Sequence, residues 1–532
     1  MRRALSRLPP ALGVVFRRLL TLLLGALVTF GAGYAAELRI GLSADVTSVD
    51  PHFHNLGPNN LVGWHVFDAL TRVDENAQLV PGLAESWRAV DATTWEFKLR
   101  RGVKFHDGSE LTAEDVLFSI ERPGTIANSP GPYTTFTRPI VAKEAVDRYT
   151  VRLKTATPYA MVPYDLNSIF IVSKRTASGA TQADFDSGRA TIGTGPFRFV
   201  AFKRGDRIEL ARHEAYWDAK PAWDKVTLRL LPNDPARLAA LLAGDVDAIE
   251  GVPTADATRL KANPALRLEQ KVSWRTIFLT LDQARDAPPG VTEKTGKPVA
   301  KNPFKDGRVR LAMSKAVNRQ AIVERVMEGL ALPASNLVAP PVFGYASALE
   351  PERYDPAGAR KLLAEAGFPD GFAVTLAAPN NRYVNDEQVA QAVAQMLARA
   401  GIAARVEAMP SAAYFPKARN LEFGVALLGW GSFSADLALR SLAMSFDAER
   451  GVGAWNWGRY TNPKVDALVT QSFATVDGRK REETASEAMT LAMRDVAVIP
   501  LHHQIATWAM RKELAYAART DEYTFAHHFR QR

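Results

Sequence analysis

The chain of 532 residues contains no cysteine. That absence excludes disulfides, a thiol nucleophile, cysteine-based metal sites and a cysteine to carry a lipid anchor. Catalytic signatures are missing as well, with no G-x-S-x-G elbow and no H-E-x-x-H pair. The segment GVTEKTGK at 290–297 looks superficially like a phosphate loop, but its spacing is wrong and Pro298 stands where Ser or Thr would hold magnesium. No stripe of Lys and Arg with interleaved aromatics appears after residue 36, so nucleic acid is not an expected partner. No cofactor is expected.

Charge is the next thing in short supply. The formal net charge is +9, but Arg2, Arg3, Arg7, Arg17 and Arg18 all precede the first acid, Glu37, and without them 61 basic residues face 57 acidic ones. The high pI therefore reflects the amino terminus and not a binding surface.

What is present begins there. The arginines are followed by the apolar run LLTLLLGALVTFGAG at 19–33 and by small residues at Ala35 and Ala36, the three-part order of a cleaved secretory signal over residues 1–36. About 15 apolar residues fall short of the roughly 20 that a membrane span needs. Sec export is expected, although Arg17 and Arg18 resemble a twin-arginine signal. An exported protein without disulfides or a lipid anchor is expected to be a soluble periplasmic one.

The remaining chain, of ordinary apolar content, is too long for one core and predicts two or three lobes. ELRIGL alternates as a half-buried strand. Thr112 with Asp115 reads as a capping box, and DPARLAALLAG and DPAGARKLLAEAG each read as a helix opened by Asp-Pro, with Asp234 and Asp355 as caps, and closed by Gly. Helices alternating with short strands give an α/β protein. The Pro- and Gly-rich stretch 282–308 is the candidate crossing between lobes.

Two groups of residues carry chemical interest. His52 with His54 would share a strand face, whereas the pairs His502–His503 and His527–His528 offer one ring per face; no third ligand stands at fixed spacing. Trp430, Trp455 and Trp457 cluster within 28 residues, and GVALLGWGSFSAD at 424–436 reads as a buried strand ending in a glycine-flanked tryptophan. Such aromatics are core, or they line a small-molecule cleft.

The ordered segments SVDPH at 48–52, LVPGLAESW at 79–87, WEFKLRRGVKFHDGSELTAEDVLFSIER at 95–122, IGTGPFRF at 192–199, YDPAGARKLLAEAGFPDGF at 354–372, GRYTNPKVDALV at 458–469 and IPLHHQ at 499–504 resemble the extracytoplasmic solute-binding proteins of family 5. These serve ABC importers of oligopeptides, dipeptides, nickel complexes and related compounds. The resemblance implies a two-lobed periplasmic binding protein fold of type II, in its large three-subdomain form, with the ligand cleft between the lobes. Lobe I would take residues 37–285 and 500–532, with an extra subdomain at about 81–190, and lobe II residues 286–499. It further implies a monomer that is not an enzyme, closes around its ligand, and hands it to a membrane permease and ATPase.

In peptide-binding relatives the loop resembling GWGSF ends in an aspartate that pairs with the peptide's ammonium; here that position is Phe433. Either Asp436 takes over that role or it caps the following helix. Arg382 matches a ligand carboxylate or a surface salt bridge. The resemblance also implies cleft-facing roles for Asn55, Trp274, Trp430, Gly431, Trp455, Asn456 and Gln504. A peptide or peptide-like ligand, amine-blocked or otherwise modified forms included, is the leading expectation. A metal-complex receptor resting on His52, His54 and His502 is the alternative, and an exported hydrolase using a carboxylate pair is the third.

Overall fold

A computed structural model describes residues 36–532; the expected signal segment otherwise lies outside the described residues. Among the described residues, no helix is long and apolar enough to cross a membrane.

The local signals act as their chemistry requires. Leu38, Ile40 and Leu42 are buried on the strand Glu37–Leu42, which pairs in parallel with Lys225–Leu230 and Ala248–Glu250. Thr112 and Asp115 close a capping box on the helix Ala113–Glu121. Asp355 accepts from the Gly358 amide at 2.8 Å to cap Pro356–Glu365. For the helix Asp234–Ala243 the cap is Asn233, not Asp234: the Asn233 side chain accepts from the Ala236 amide, which leaves the Asp234 carboxylate in the positively charged first turn. This helix stops at Gly244, whose φ of +81° only glycine adopts freely.

Twelve strands form one mixed sheet. Its backbone is a pair of long antiparallel strands, Leu266–Leu281 and Ile499–Arg511, which run side by side through its middle. At one end they meet a core containing Leu38, Val226, Trp508 and Met510; at the other, Ile277, Leu279, Ile499 and Leu501 join a core with Val309, Leu376 and Val393. The molecule is thus an α/β protein of two lobes spanned by two continuous strands.

The stretch 282–308, expected to carry the first crossing, lies beyond it. Val291 and Phe304 are buried in the second lobe's core, and Val291–Thr292 pairs with Ala373–Pro379. The reason is that Pro and Gly mark a turn, whereas a paired strand satisfies its backbone hydrogen bonds while bridging two cores. We therefore place the crossings inside the two long strands. Their ladder is interrupted between Val272 and Thr276, where Ser273, Trp274 and Arg275 bulge opposite Gln504.

A separate four-stranded sheet, spanning Ala84 to Thr155, has its own core with Trp95, Phe97, Val116, Leu153 and Ile169. The end of the segment expected to form this subdomain behaves differently: Val172, Ala177, Phe185 and Ala190 are buried in the first lobe's main core.

Candidate ligand cleft

Two cavities share one wall, Trp274 at the strand crossing: the larger reaches from the first lobe to Phe433 of the second, and the smaller lies between the crossing and the second lobe. The larger, about 330 Å³, lies among Asn60, Trp64, Tyr523 and Phe525 of the first lobe and Phe433 of the second. The smaller, about 200 Å³, is bounded by Arg275, Arg382, Tyr383, Trp430 and Trp455. The larger falls in the range of small-molecule sites, roughly 300–1,000 Å³.

The sequence GWG builds the wall between them. A side chain at Gly429 would lie 2.6 Å from Ile277 and Tyr383, and one at Gly431 would lie 2.6 Å from the Trp274 indole nitrogen. Here glycine makes room for neighbouring side chains. Trp430 stands with its ring 5.2 Å from that of Trp455, which is in turn 5.3 Å from Trp457. Trp430 and Trp455 face the small cavity, while Trp457 is buried behind them.

Charge is distributed unevenly between the two cavities. In the larger, Arg72 pairs with Asp218 at 2.9 Å and Arg519 pairs with Asp521, Asp68 accepts from Trp217 and Thr194, each at 2.9 Å, and Asp74, Glu75 and Arg530 line the cavity without an ion pair among the described residues. Burial nevertheless raises the Asp68 pKa. In the smaller, Arg275 is held by Glu522 at 2.6 Å, and Ser273 donates to the same carboxylate at 2.6 Å. Burial alone would raise the Glu522 pKa, but Arg275 outweighs it and holds it below the usual range. Arg382 is different. Its backbone amide donates to Asp386 and its guanidinium lies 5.3 Å from the Tyr383 ring, yet among the described residues that guanidinium has no side-chain hydrogen bond or ion pair. Desolvation by the cleft wall and the neighbouring charge of Arg275 lower its pKa.

Phe433 lies flat against Tyr164 of the first lobe, ring centroids 5.7 Å apart and planes 9° from parallel. Phe433 itself offers no acceptor to an ammonium; Asn167, whose buried Oδ1 has no hydrogen-bond partner among the described residues, lines the same cavity.

Six of the residues singled out in the sequence line the cavities: Trp274, Arg382, Trp430, Gly431, Phe433 and Trp455. Four do not. Asp436 is fully buried and ion-paired with Arg481 at 2.8 Å, so it is spent within the fold and does not replace the missing aspartate. Its Oδ1 accepts from the Leu437 amide in the first turn of the helix Ala435–Leu442, and from the Ser434 hydroxyl. Asn456 is consumed by the loop, donating to the Met444 and Tyr460 carbonyls and accepting from the Tyr460 amide. Gln504 is buried on its strand behind the cavities. Asn55 stands one step back, accepting from Asn60 at 2.9 Å.

The histidines proposed for a metal complex are not brought together: two are held by other bonds and, among the described residues, the third is buried without one. His52 donates to the Phe170 carbonyl at 2.8 Å and accepts from Arg122, while burial and then Arg122 push its pKa down to about 4. His54 bonds Thr47 at 3.0 Å, and His502 is buried in the sheet. Sequence reading missed Arg275, Tyr383 and the carboxyl-terminal Tyr523 and Phe525; only the strand pairing that brings residues 266–281 beside 499–511 juxtaposes them.

Comparison with known proteins agrees with this architecture. The family described as bacterial extracellular solute-binding proteins, family 5 middle, matches residues 78–447. The glutathione-binding protein GsiB of Pectobacterium atrosepticum is 30% identical over 498 residues, covering 92% of this chain and 93% of that protein. Among solved structures, the periplasmic binding protein DppA of Helicobacter pylori in complex with the peptide STSA superposes with a TM-score of 0.77 at 24% identity, covering 94% of this chain and all of that one. The oligopeptide-binding protein AppA of Bacillus subtilis, in complex with a nonapeptide, gives 0.73 at 22% identity over 93% of this chain and 99% of that one.

Proposed function

Because the chain belongs to family 5 of the bacterial extracellular solute-binding proteins, we propose that it is the periplasmic receptor of an ABC importer for a short peptide or peptide-like solute. Its ligand carries a carboxylate at one end and an uncharged or blocked group at the other. The observation that supports this reading is the contrast between the two cavities. Arg382 offers an unmatched fork to a carboxylate in the smaller one, and Phe433 stacked on Tyr164 closes the larger one with an apolar surface.

Trp274, Arg382, Trp430, Gly431, Phe433 and Trp455 are the ligand-contacting residues. Backbone groups of an extended ligand are held along the strand ends while the tryptophans cover its apolar faces. Binding gains contacts from both lobes only when they close, so the ligand shifts the open and closed populations by its differential affinity for them. A membrane permease with its ATPase reads the closed form. The receptor acts as a monomer after removal of residues 1–36 and alters no covalent bond.

The test is calorimetric titration with glutathione, chosen because a relative is named for binding it, and with short peptides that are free or acetylated at the amino terminus and free or amidated at the carboxyl terminus. Binding is expected for carboxylate-bearing ligands and is weakened by amidation. Binding of amidated and free-acid forms with equal affinity overturns the placement of the carboxylate, and turnover of a bound peptide overturns the receptor reading.

A further inference from the structure

Besides the two strands, contacts join the lobes at several points, among them Asn385 to Thr254 at 2.9 Å, Gln78 to the Pro341 carbonyl at 3.2 Å, and one whole segment of the extra subdomain. Residues 159–165 belong to the extra subdomain but are seated on the second lobe. The Ala160 amide donates to the Phe473 carbonyl at 2.6 Å, Met161 is fully buried in the second lobe's core, and the Tyr159 ring stacks at 6.1 Å on that of Phe473. Tyr164 lies on Phe433, and the Arg481 guanidinium stands 4.4 Å over its other side. These contacts join the extra subdomain to the second lobe.

At the end of this segment is a carboxylate that, among the described residues, lines neither cavity and has no ion pair. Asp165 is 4% exposed, and its one side-chain hydrogen bond comes from the Tyr159 hydroxyl, at 2.7 Å. Every other charged group facing it belongs to the second lobe: Arg440, which donates to the same Tyr159 hydroxyl at 3.3 Å, and Arg481, already neutralised by Asp436. A buried carboxylate with one hydrogen bond and no ion pair is costly in its charged form.

We propose that residues 159–165 form a proton-dependent latch between the lobes, with Asp165 as the group that takes up the proton on closure. Burial pushes the Asp165 pKa up to about 7, with Tyr159, Arg440 and Arg481 opposing it. Opening returns the carboxyl to water, where its pKa is about 4. Since the closed state holds the proton more tightly, its advantage is complete below the open-state value. It falls by up to tenfold per pH unit as pH rises toward 7, and is level above that. Closure is therefore favoured by acid. Asp165 lines neither cavity, so it takes up its proton without touching the ligand; proton and ligand act on the same closure.

The Ala160 amide reports the latch directly, because opening breaks its bond to Phe473. Its hydrogen-exchange protection factor, measured on the ligand-free protein from pH 4.5 to 8 and corrected for intrinsic exchange, is expected to fall by up to tenfold per unit to about pH 7 and then level off. Asp165→Asn, a neutral isostere, is expected to hold protection near its low-pH value throughout. Tyr159→Phe removes a bond that favours the charged form, so it is expected to move the levelling point to higher pH. A wild-type protection factor near one at every pH, one that does not vary with pH, or an Asp165→Asn profile parallel to wild type overturns the proposal.

Discussion

Arg481 donates two hydrogen bonds to Asp436, at 2.8 and 3.1 Å, and both side chains are buried. Burial works against the charged Asp436, but Arg481 together with Ser434 and Ser472 more than restores it, and its pKa stays below the usual carboxylate value. The pair locks the helix carrying Asp436 to the helix Gly478–Arg494, directly behind the Phe433 wall. Truncating one partner leaves the other charge buried and unmatched, at a cost of about 3–5 kcal/mol. Asp436→Ala is thus expected to lower the urea midpoint sharply, while the protein that remains folded binds ligand with unchanged affinity. A loss of affinity at unchanged stability contradicts this.

Arg382 makes the opposite prediction. Among the described residues its guanidinium has no partner to leave stranded, so Arg382→Ala is expected to leave stability within about 0.5 kcal/mol. Affinity for a carboxylate ligand is expected to drop by roughly 10- to 100-fold, the worth of a charge-assisted hydrogen bond of about 1.5–3 kcal/mol. Arg382→Lys keeps the charge and loses the fork, so it is expected to recover only part of the loss. Titration of both variants with a free-acid and an amidated peptide checks this, and the amidated one is expected to be indifferent to either change.

Much of this was legible in the sequence because it is local. The alternation in Glu37–Leu42, the Thr112 capping box, the stop at Gly244 and the strand Val425–Gly431 each depend on a few neighbouring residues. The roles of Asp436 and Asn456 depend on partners: Asp436 is consumed by an arginine 45 residues later, and Asn456 by loop carbonyls that no periodicity announces. The Pro- and Gly-rich stretch reads as the crossing because turns are visible in sequence, whereas long strands running from one core into another look like any other strand. Arg275 was invisible for the same reason, since Glu522 reaches it only through the pairing of the two long strands.

Gly431 tests the wall between the cavities. A methyl group there meets the Trp274 indole nitrogen at 2.6 Å, so Trp274 must move. Gly431→Ala is expected to destabilise by about 1–3 kcal/mol, as overpacking does, and to quench or shift Trp274 fluorescence relative to a Trp274→Phe control. Unchanged emission with unchanged affinity means the indole is not fixed by this contact.

Phe433 tests the neutral end of the ligand. Phe433→Asp places an acceptor on the second lobe's side of the larger cavity and removes the stack on Tyr164. The preference for free over acetylated peptide amino termini is expected to rise, because an opposite charge gains value when desolvated beside its partner. Closure in the absence of ligand is expected to weaken. Equal selectivity in the two proteins, measured by calorimetry on matched peptide pairs, rules out Phe433 as the selector.

Buried histidines set a pH response opposite in sign to the latch. Burial drives the pKa of His502 to about 3, and burial with the neighbouring His502 charge drives that of His503 to about 3 as well. The fold holds them neutral while the unfolded chain protonates them near 6.5, so the stability they permit is full above 6.5 and is lost as pH falls toward 3. The slope is at most about 1.4 kcal/mol per pH unit for each ring. Among the described residues neither His502 nitrogen has a partner, so the ring can be replaced by an apolar group without stranding another polar atom. His502→Leu is expected to match or exceed wild-type stability at pH 7.5 and to be clearly more stable at pH 5, with a dependence on pH shallower by one proton. Urea denaturation at the two pH values measures that difference directly, and parallel slopes mean that His502 titrates alike in the folded and unfolded chain.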